Sequence, residues 1–206
     1  MLTELRDHPI VAHHITVLRD VETSPQDFRQ SATALTRVLM LEASKHLHVD
    51  SVRVETPIET TDGAKLSGSV VLVPILRAGL GMLEACLEIL PTAAVGYVGL
   101  ERDEDTAVAR CYYSKMPPLE DSEHVFVIDP MLATGGSAVQ SVEQLKSLGA
   151  KRISMLCIIS APEGIEAVQK AHPDVAVFTT VLDRELNDQK YICPGLGDFG
   201  DRLYCT

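Results

Sequence analysis

The chain has 206 residues, 46% apolar and 23% charged, which is the balance of a globular protein with length for one substantial domain, 1–206, and nothing that forces a second. Its formal net charge is −11, with 18 basic against 29 acidic residues and no basic block; this argues against an extended nucleic-acid surface but leaves room for a small anion held by a loop and a few arginines. No apolar run approaches the ~18 to 20 residues of a membrane span, and MLTELRDHPIVAHH lacks the basic start and apolar core of a signal peptide.

Ser24-Pro25, ahead of QDFRQSATALTRVLMLEASKHL, predicts a helix with serine as N-cap and proline in the first turn. Phe28, Ala32, Leu35, Val38 and Leu39 recur along it at helical spacing, giving the chain an N-terminal helical arm. TPIETTDGAKLSG is loop or hairpin. VVLVPIL (70–76) is a continuous apolar run, the pattern of a strand buried on both faces. GLGMLEACLEIL then reads as helix, AAVGYVGL (93–100) as strand and ERDEDTAVAR as a polar excursion. HVFVID (124–129) is a strand and SAVQSVEQLKSLGA a helix, with Gly149 at its C-terminal cap. ISMLCIIS (153–160), PEGIEAVQKAH and VAVFTTVL (175–182) continue as strand, helix and strand, and NDQKYICPGLGDFGDRLYCT is an irregular tail.

Strands alternating with helices predict an α/β fold, a doubly wound and mostly parallel sheet. Ligands of such sheets sit outside the carboxyl ends of the strands. Three loops follow strands there: PILRAG, the ERDEDT segment and DPMLATGGS. Five cysteines without a CxxC pair fit a reducing cytoplasm better than a disulfide framework or a zinc site. The histidines at 8, 13, 14, 46, 48, 124 and 172 show no metal-ligand spacing.

Two glycine patterns fail as dinucleotide motifs. GLGMLE (79–84) follows a strand, but Glu84 stands where the third glycine should pack helix on strand. GLGDFG (195–200) has the letters, yet it lies so near the last residue that no helix or βαβ unit is expected after it. No Walker A pattern occurs. DPMLATGGS does better. Thr134, Gly135, Gly136 and Ser137 offer hydroxyls and open N–H groups at a helix N-terminus, where about half a positive charge is available. Asp129, at the strand end, suits vicinal ribose hydroxyls. The plain alternative is an ordinary strand–turn–helix.

VPILRAGLGM, VFVIDPMLATGGSA, APEGI, AHPDV and YICPGLGDFGDR, in this order, resemble uracil phosphoribosyltransferases of the type I phosphoribosyltransferase superfamily, from HPIV near the start to the last residues. Phosphoribosyltransferases commonly carry two adjacent acids where this chain has Asp129-Pro130, and the Asp-Pro form is that of the uracil enzymes. A glycine is expected where Cys205 stands in YCT. The resemblance implies uracil plus 5-phosphoribosyl-1-diphosphate (PRPP) giving UMP plus diphosphate, a step of pyrimidine salvage.

It further implies site residues. Asp129, Pro130, Met131, Leu132, Ala133, Thr134, Gly135, Gly136 and Ser137 bind PRPP, with the loop 133–137 on the 5′-phosphate and Asp129 on the ribose hydroxyls. Arg77 holds the diphosphate through a fork of donors matched to phosphate oxygens; its alternative is a surface ion pair. Arg102 resembles a mobile-loop arginine that closes over the diphosphate; a solvated charged loop is its alternative. Asp198 contacts PRPP near the base and favours a cationic transition state, so Arg77 and Asp198 are the catalytic candidates. Ile192, Gly197, Asp198 and Phe199 form the uracil site, read by main-chain groups. Magnesium arrives as Mg–PRPP rather than in a protein cage. Homodimers or homotetramers and GTP as activator are family properties, with the aliphatic N-terminal helix as a contact surface. Two alternatives remain: a phosphoribosyltransferase for another base, against which the C-terminal loop counts, and a pyrimidine-sensing RNA-binding regulator on the same fold, which should have a basic face.

Overall fold

The computed structural model describes residues 1–102, 109–119 and 122–206. A short strand β1 (Leu2–Glu4) leads into helices α1 (Pro9–Arg19) and α2 (Pro25–Ser44). The expected cap of α2 is present: Ser24 Oγ accepts from the Asp27 N–H at 3.2 Å, and Pro25 opens the helix. His8-Pro9 starts α1 in the same way, with His8 Nδ1 accepting from the Ile10 N–H at 3.2 Å. α2 buries Phe28, Ala32, Leu35 and Leu39 inside the chain's own core. That stripe is therefore spent within the protein and is not a free contact surface.

An antiparallel ribbon follows, β2 (Val49–Glu55) and β3 (Thr60–Leu66). The sequence allows a hairpin here but carries no strand signal at 49–55. Nearly all of its side chains are exposed, so no core face imprints an alternation. Next come β4 (Ser69–Leu76), α3 (Leu80–Ile89), β5 (Ala94–Val95) and β6 (Tyr97–Arg102). The single strand expected at 93–100 divides at Gly96, whose N–H donates to the Leu72 carbonyl at 2.9 Å. β7 (Ala109–Lys115) returns antiparallel to β6, so the described ends of the polar excursion are strand.

β8 (Ser122–Ile128), α4 (Gly136–Ser147), β10 (Ile153–Ser160), α5 (Pro162–Ala171) and β11 (Ala176–Leu182) lie close to expectation, while β9 (Met131–Leu132), paired with β10, is a short strand inside the expected loop. Gly149, just past α4, has φ 98° and lets the Ala150 N–H return to the Leu145 carbonyl at 3.0 Å. The tail departs from expectation. β12 (Glu185–Leu186) pairs with β13 (Ile192–Cys193), and α6 (Phe199–Tyr204) begins within the GLGDFG stretch. A helix does follow that motif, though no strand does among the described residues. Elements this short leave no periodicity to read.

The main sheet runs β1-β11-β10-β8-β4-β6-β7, parallel except between β6 and β7. Along β4 and β8 the side chains alternate between two cores. Val70, Leu72, Phe126 and Ile128 join α1, α2, α3 and α6 on one face; Val71, Val73, Val125 and Val127 join α4 and α5 on the other. Burial on both faces is why these strands read as unbroken apolar runs. From β4 the chain proceeds outward to β6, and from β8 it proceeds the opposite way to β10. The β4–β8 pair is thus the switch point, where the carboxyl ends part and open a crevice.

Candidate functional site

A recess of about 110 Å³ sits at the carboxyl end of β8, walled by Asp129 and the run 131–138. Pro130 is not in that wall. Its carbonyl accepts from the N–H groups of Ile158 and Ile159 at 3.0 and 2.9 Å, tying the loop to β10. No side chain caps the N-terminus of α4, and its first turn holds no acid. The opening N–H groups and the positive end of the helix therefore face the recess without competition.

Two adjacent glycines differ in their reasons. Gly135 has φ 81°, and a Cβ on it would lie 2.8 Å from the Ala167 Cβ and 3.0 Å from the Gly164 carbonyl. The fold itself requires glycine there. A Cβ on Gly136 would meet only the Thr134 Oγ1, at 3.9 Å. Nothing in the protein fills that space, and it opens on the recess.

Asp129 follows the last residue of β8 and is partly open to the recess. Burial pushes its carboxyl up to about 7, opposed by the Met131 N–H that donates to it. The charged form is thus held in reserve for a partner that supplies hydrogen-bond donors.

Arg77 comes one residue after β4, at the same end of the sheet as Asp129, because the two strands run parallel with Pro74 opposite Ile128. The turn behind it is tight: a Cβ on Gly79 would lie 2.5 Å from the Ile128 carbonyl. Arg77 is exposed and makes no ion pair with any described residue. That removes the surface-ion-pair alternative among the described residues. Arg102 ends β6, which pairs with β4 on the other side. Its side chain and the ERDEDT segment from 103 onward lie outside the described residues.

The third segment arrives from the C-terminus. A Cβ on Gly200 would approach the Ala78 Cβ to 3.9 Å, and a Cβ on Gly81 would collide with Leu203. The Tyr204 hydroxyl also donates to the Arg77 carbonyl at 3.3 Å. α6 is therefore seated against the Arg77 turn. Asp198 is exposed and caps α6, its Oδ1 accepting from the Asp201 N–H at 2.9 Å. Phe199 turns its ring into the core, 5.2 Å from the Phe28 ring. Only its main chain is left for a ligand. Ile192 is likewise buried, at a register where Leu186 is its partner. The Leu186 N–H goes to Glu163 at 2.9 Å and the Asn187 N–H to the Tyr191 carbonyl at 2.9 Å. This is the non-hydrogen-bonded phase of an antiparallel pair, in which the Ile192 peptide groups point away from β12. Gly197, exposed with φ 82°, completes the segment.

A fourth strand end contributes and carries no sequence signal of its own. Asp183, just past β11, holds the Gly195 N–H and the Arg19 guanidinium. Its ion-pair partner Arg19 is 164 residues away in the chain, so spacing could not have shown the pair; only the rule that ligands gather at strand ends points there. A larger cleft, about 540 Å³, lies behind this segment between α1 and the end of β11. Size does not make it the reaction centre, because the convergent N–H groups, Asp129 and Arg77 are elsewhere. Cys86 is buried and pushed up to about 12, a packing residue rather than a nucleophile. Among the described residues no cluster of three His, Cys, Asp or Glu is set to hold a metal. Cys205 takes the left-handed conformation at φ 61°, which explains why glycine is the expected residue there.

Comparison with known proteins agrees with this geometry. The family model described as uracil phosphoribosyltransferase matches residues 5–206. The uracil phosphoribosyltransferase of Fervidobacterium nodosum is 49% identical over 201 residues, 97% of either chain. The solved AQ2163 protein from Aquifex aeolicus superimposes with a TM-score of 0.93 at 37% identity, over 100% of this chain and 99% of that one. The adenine phosphoribosyltransferase of Trypanosoma brucei shares the fold alone, at a TM-score of 0.61 and 13% identity over 92% and 87% of the chains. With a full-length family match and an uncapped helix N-terminus, Asp129 and Arg77 gathered at one switch point, the chain belongs to the uracil phosphoribosyltransferase family.

Proposed function

We propose that this chain, working as one domain over 1–206, transfers the phosphoribosyl group of PRPP to uracil and releases diphosphate. The observation that carries the reading is the meeting of three strand-end segments, at 77–79, 129–137 and 192–200, over the β4–β8 switch point. The 5′-phosphate occupies the recess at α4, the ribose hydroxyls donate to Asp129, and Arg77 takes the diphosphate. The bond from the uracil nitrogen to the anomeric carbon forms as the bond to diphosphate breaks, the bonding pair leaves with the diphosphate, and the nitrogen's proton passes to solvent. Positive charge gathers on the ribose and negative charge on the leaving group. The protein's part is mainly to position and to stabilise those charges. Asp198, with one oxygen committed to the α6 cap, adds an electrostatic contribution to the cationic ribose.

Magnesium fits as Mg–PRPP, since the one carboxylate of the recess, Asp129, suits an ion that keeps waters and substrate phosphates as its other ligands, while the loop N–H groups serve the phosphate oxygens. When bound, it neutralises diphosphate charge. A homodimer or homotetramer, activation by GTP and a cytoplasmic location are carried from the family; no helix among the described residues is long and apolar enough to cross a membrane. UMP formation from labelled PRPP, run with a panel of bases, with and without GTP, and alongside a sizing column, tests the whole reading. UMP should form, and transfer to a purine or orotate in its place would overturn it.

Asp129 gives a pH dependence with a definite sign. Its folded value of about 7 lies above the ordinary 3.8, so ionising it opposes folding increasingly as pH rises through that window, while ribose hydroxyls bind the ionised form better. PRPP affinity measured by calorimetry should rise roughly tenfold more between pH ~6 and ~8 in the wild type than in Asp129→Asn. Identical profiles would remove the carboxylate from the ribose.

Uracil offers an acceptor–donor–acceptor edge that peptide groups match without charge. The outward peptide groups of Ile192, the exposed backbone at Gly197 and the core-bound Phe199 ring support main-chain reading of that edge. Cytosine replaces one acceptor with a donor and lacks the donor between them, leaving peptide groups unpaired at roughly 1 to 3 kcal/mol each. Ile192→Val should keep the preference, and one residue inserted between Pro194 and Gly197 should destroy it. Equal use of cytosine, or unchanged uracil kinetics after the insertion, would sink this part.

A further inference from the structure

We propose that Arg19 and Asp183 are positioning residues for the base loop: their ion pair grips both peptide groups of Gly195 and so fixes the distance between the main-chain groups that read uracil. The inference rests on the main-chain reading given above. Asp183 is 6% exposed, and its own N–H is anchored to the Ser160 carbonyl of β10 at 2.8 Å. Its carboxylate receives the Arg19 guanidinium as a fork, Nη2 to Oδ1 at 2.6 Å and Nη1 to Oδ2 at 2.9 Å. The Gly195 N–H donates to the same Oδ2 at 2.8 Å. Arg19 Nη1 in turn donates to the Gly195 carbonyl at 2.9 Å.

Gly195 lies midway between Ile192 and Gly197, and its conformation is not negotiable. It has φ 68°, and any Cβ would strike the Ile192 carbonyl. The next peptide is held too. The Leu196 carbonyl accepts from Arg202 Nη1 at 2.7 Å, while the same arginine donates to the Leu18 and Asp20 carbonyls at the end of α1. Arg202 also stacks over the Phe28 ring, 4.5 Å from its centroid. The last turn of α1 is thus tied to the base loop through two arginines.

The chemistry of the clamp suits geometry better than stability. A buried ion pair often contributes little net stability over an apolar pair of the same shape, because both charges are desolvated. A planar guanidinium on a carboxylate does fix direction, since two parallel bonds define a plane. A segment that merely covered the sheet edge could do so with apolar side chains. A base read by peptide groups has no side chain to readjust, so the position of the backbone sets the match.

Arg19→Lys keeps the charge but cannot reach both Asp183 and the Gly195 carbonyl. It should raise the uracil KM about 10²-fold, as misplacement by an ångström does, and lower the preference for uracil over cytosine. PRPP affinity by calorimetry and kcat at saturating uracil should stay within about twofold. Asp183→Asn, which preserves shape and an acceptor for the Gly195 N–H, should move the same quantities in the same direction by less. Uracil KM and preference unchanged in both variants would overturn the inference. So would a parallel fall in PRPP affinity and uracil use, which marks loss of folded protein alone. The insertion between Pro194 and Gly197 separates the two readings. If it destroys uracil use while Arg19→Lys does not, only the clamp falls; if it spares uracil use, the base-loop reading falls and takes the clamp with it.

Discussion

Gly136→Val should abolish PRPP binding while leaving the protein folded. Gly136 opens α4 at an exposed position, and a Cβ there meets nothing closer than the Thr134 Oγ1 at 3.9 Å. The backbone angle is not in the left-handed region, and exchanging glycine for almost any other residue in a helix saves up to ~1 kcal/mol of chain entropy. The fold should therefore tolerate valine, with a melting temperature equal to or above that of the wild type. The recess should not tolerate it. At about 110 Å³ it has no room for both a branched side chain and a phosphate, so the side chain would keep the phosphate from the N–H donors at the helix N-terminus. Calorimetry with PRPP on the folded variant should show no measurable heat of binding. Undiminished affinity would reduce the DPMLATGGS loop to a turn. Gly135→Val is the contrasting control. Its φ of 81° and the 2.8 Å approach to Ala167 predict a large loss of stability, whatever the ligand.

The legibility of this protein in its sequence follows the same division between what ligand and core demand. β4, β8 and β10 are buried on both faces, so their apolar runs announce themselves, and the parallel sheet with its strand-end crevice follows from them. The phosphate loop is local, running over 129–137 from the end of β8 into the first turn of α4, and local motifs survive in a sequence. The base segment is legible only in part. Its motif is visible, but that Phe199 faces the core and Ile192 turns its peptide groups outward depends on the packing of α6 and on the register of β12 with β13. Arg19, Asp183 and Arg202 could not be found at all by spacing, because Arg19 and Arg202 each bond to a segment at the far end of the chain and the Asp183 carboxylate pairs with Arg19 from that far end. The GLGMLE stretch, rejected as a dinucleotide motif because of Glu84, has glycines with another purpose. Its glycines are there to let the Arg77 turn pass the Ile128 carbonyl and to let Leu203 settle on α3, which has nothing to do with a dinucleotide.

Arg77→Ala should lower kcat by about 10² to 10³, the usual loss when one preorganised contact to developing charge is removed, and should change uracil binding little. Three features of the turn lead to this. It directly follows the central strand β4 at the switch point, so its position is set by a deeply buried strand of the sheet. The main chain at Arg77 is held from the far side by the Tyr204 hydroxyl at 3.3 Å, which fixes the turn without using the guanidinium. The guanidinium is exposed and has no ion pair among the described residues, whereas Arg19, Arg37, Arg53 and Arg184 each face a carboxylate. An arginine held at its backbone and open at its tip is suited to a ligand of high negative charge. Its charge is also felt nearby: burial raises the Tyr204 hydroxyl, and Arg77 pulls it partway back. Arg77→Lys restores a point charge without the fork, so its turnover should fall between alanine and wild type. Because the diphosphate gains charge only as its bond breaks, the loss should appear in kcat more than in ground-state affinity. An alanine variant within about twofold of wild type in kcat and kcat/KM would take Arg77 out of the reaction.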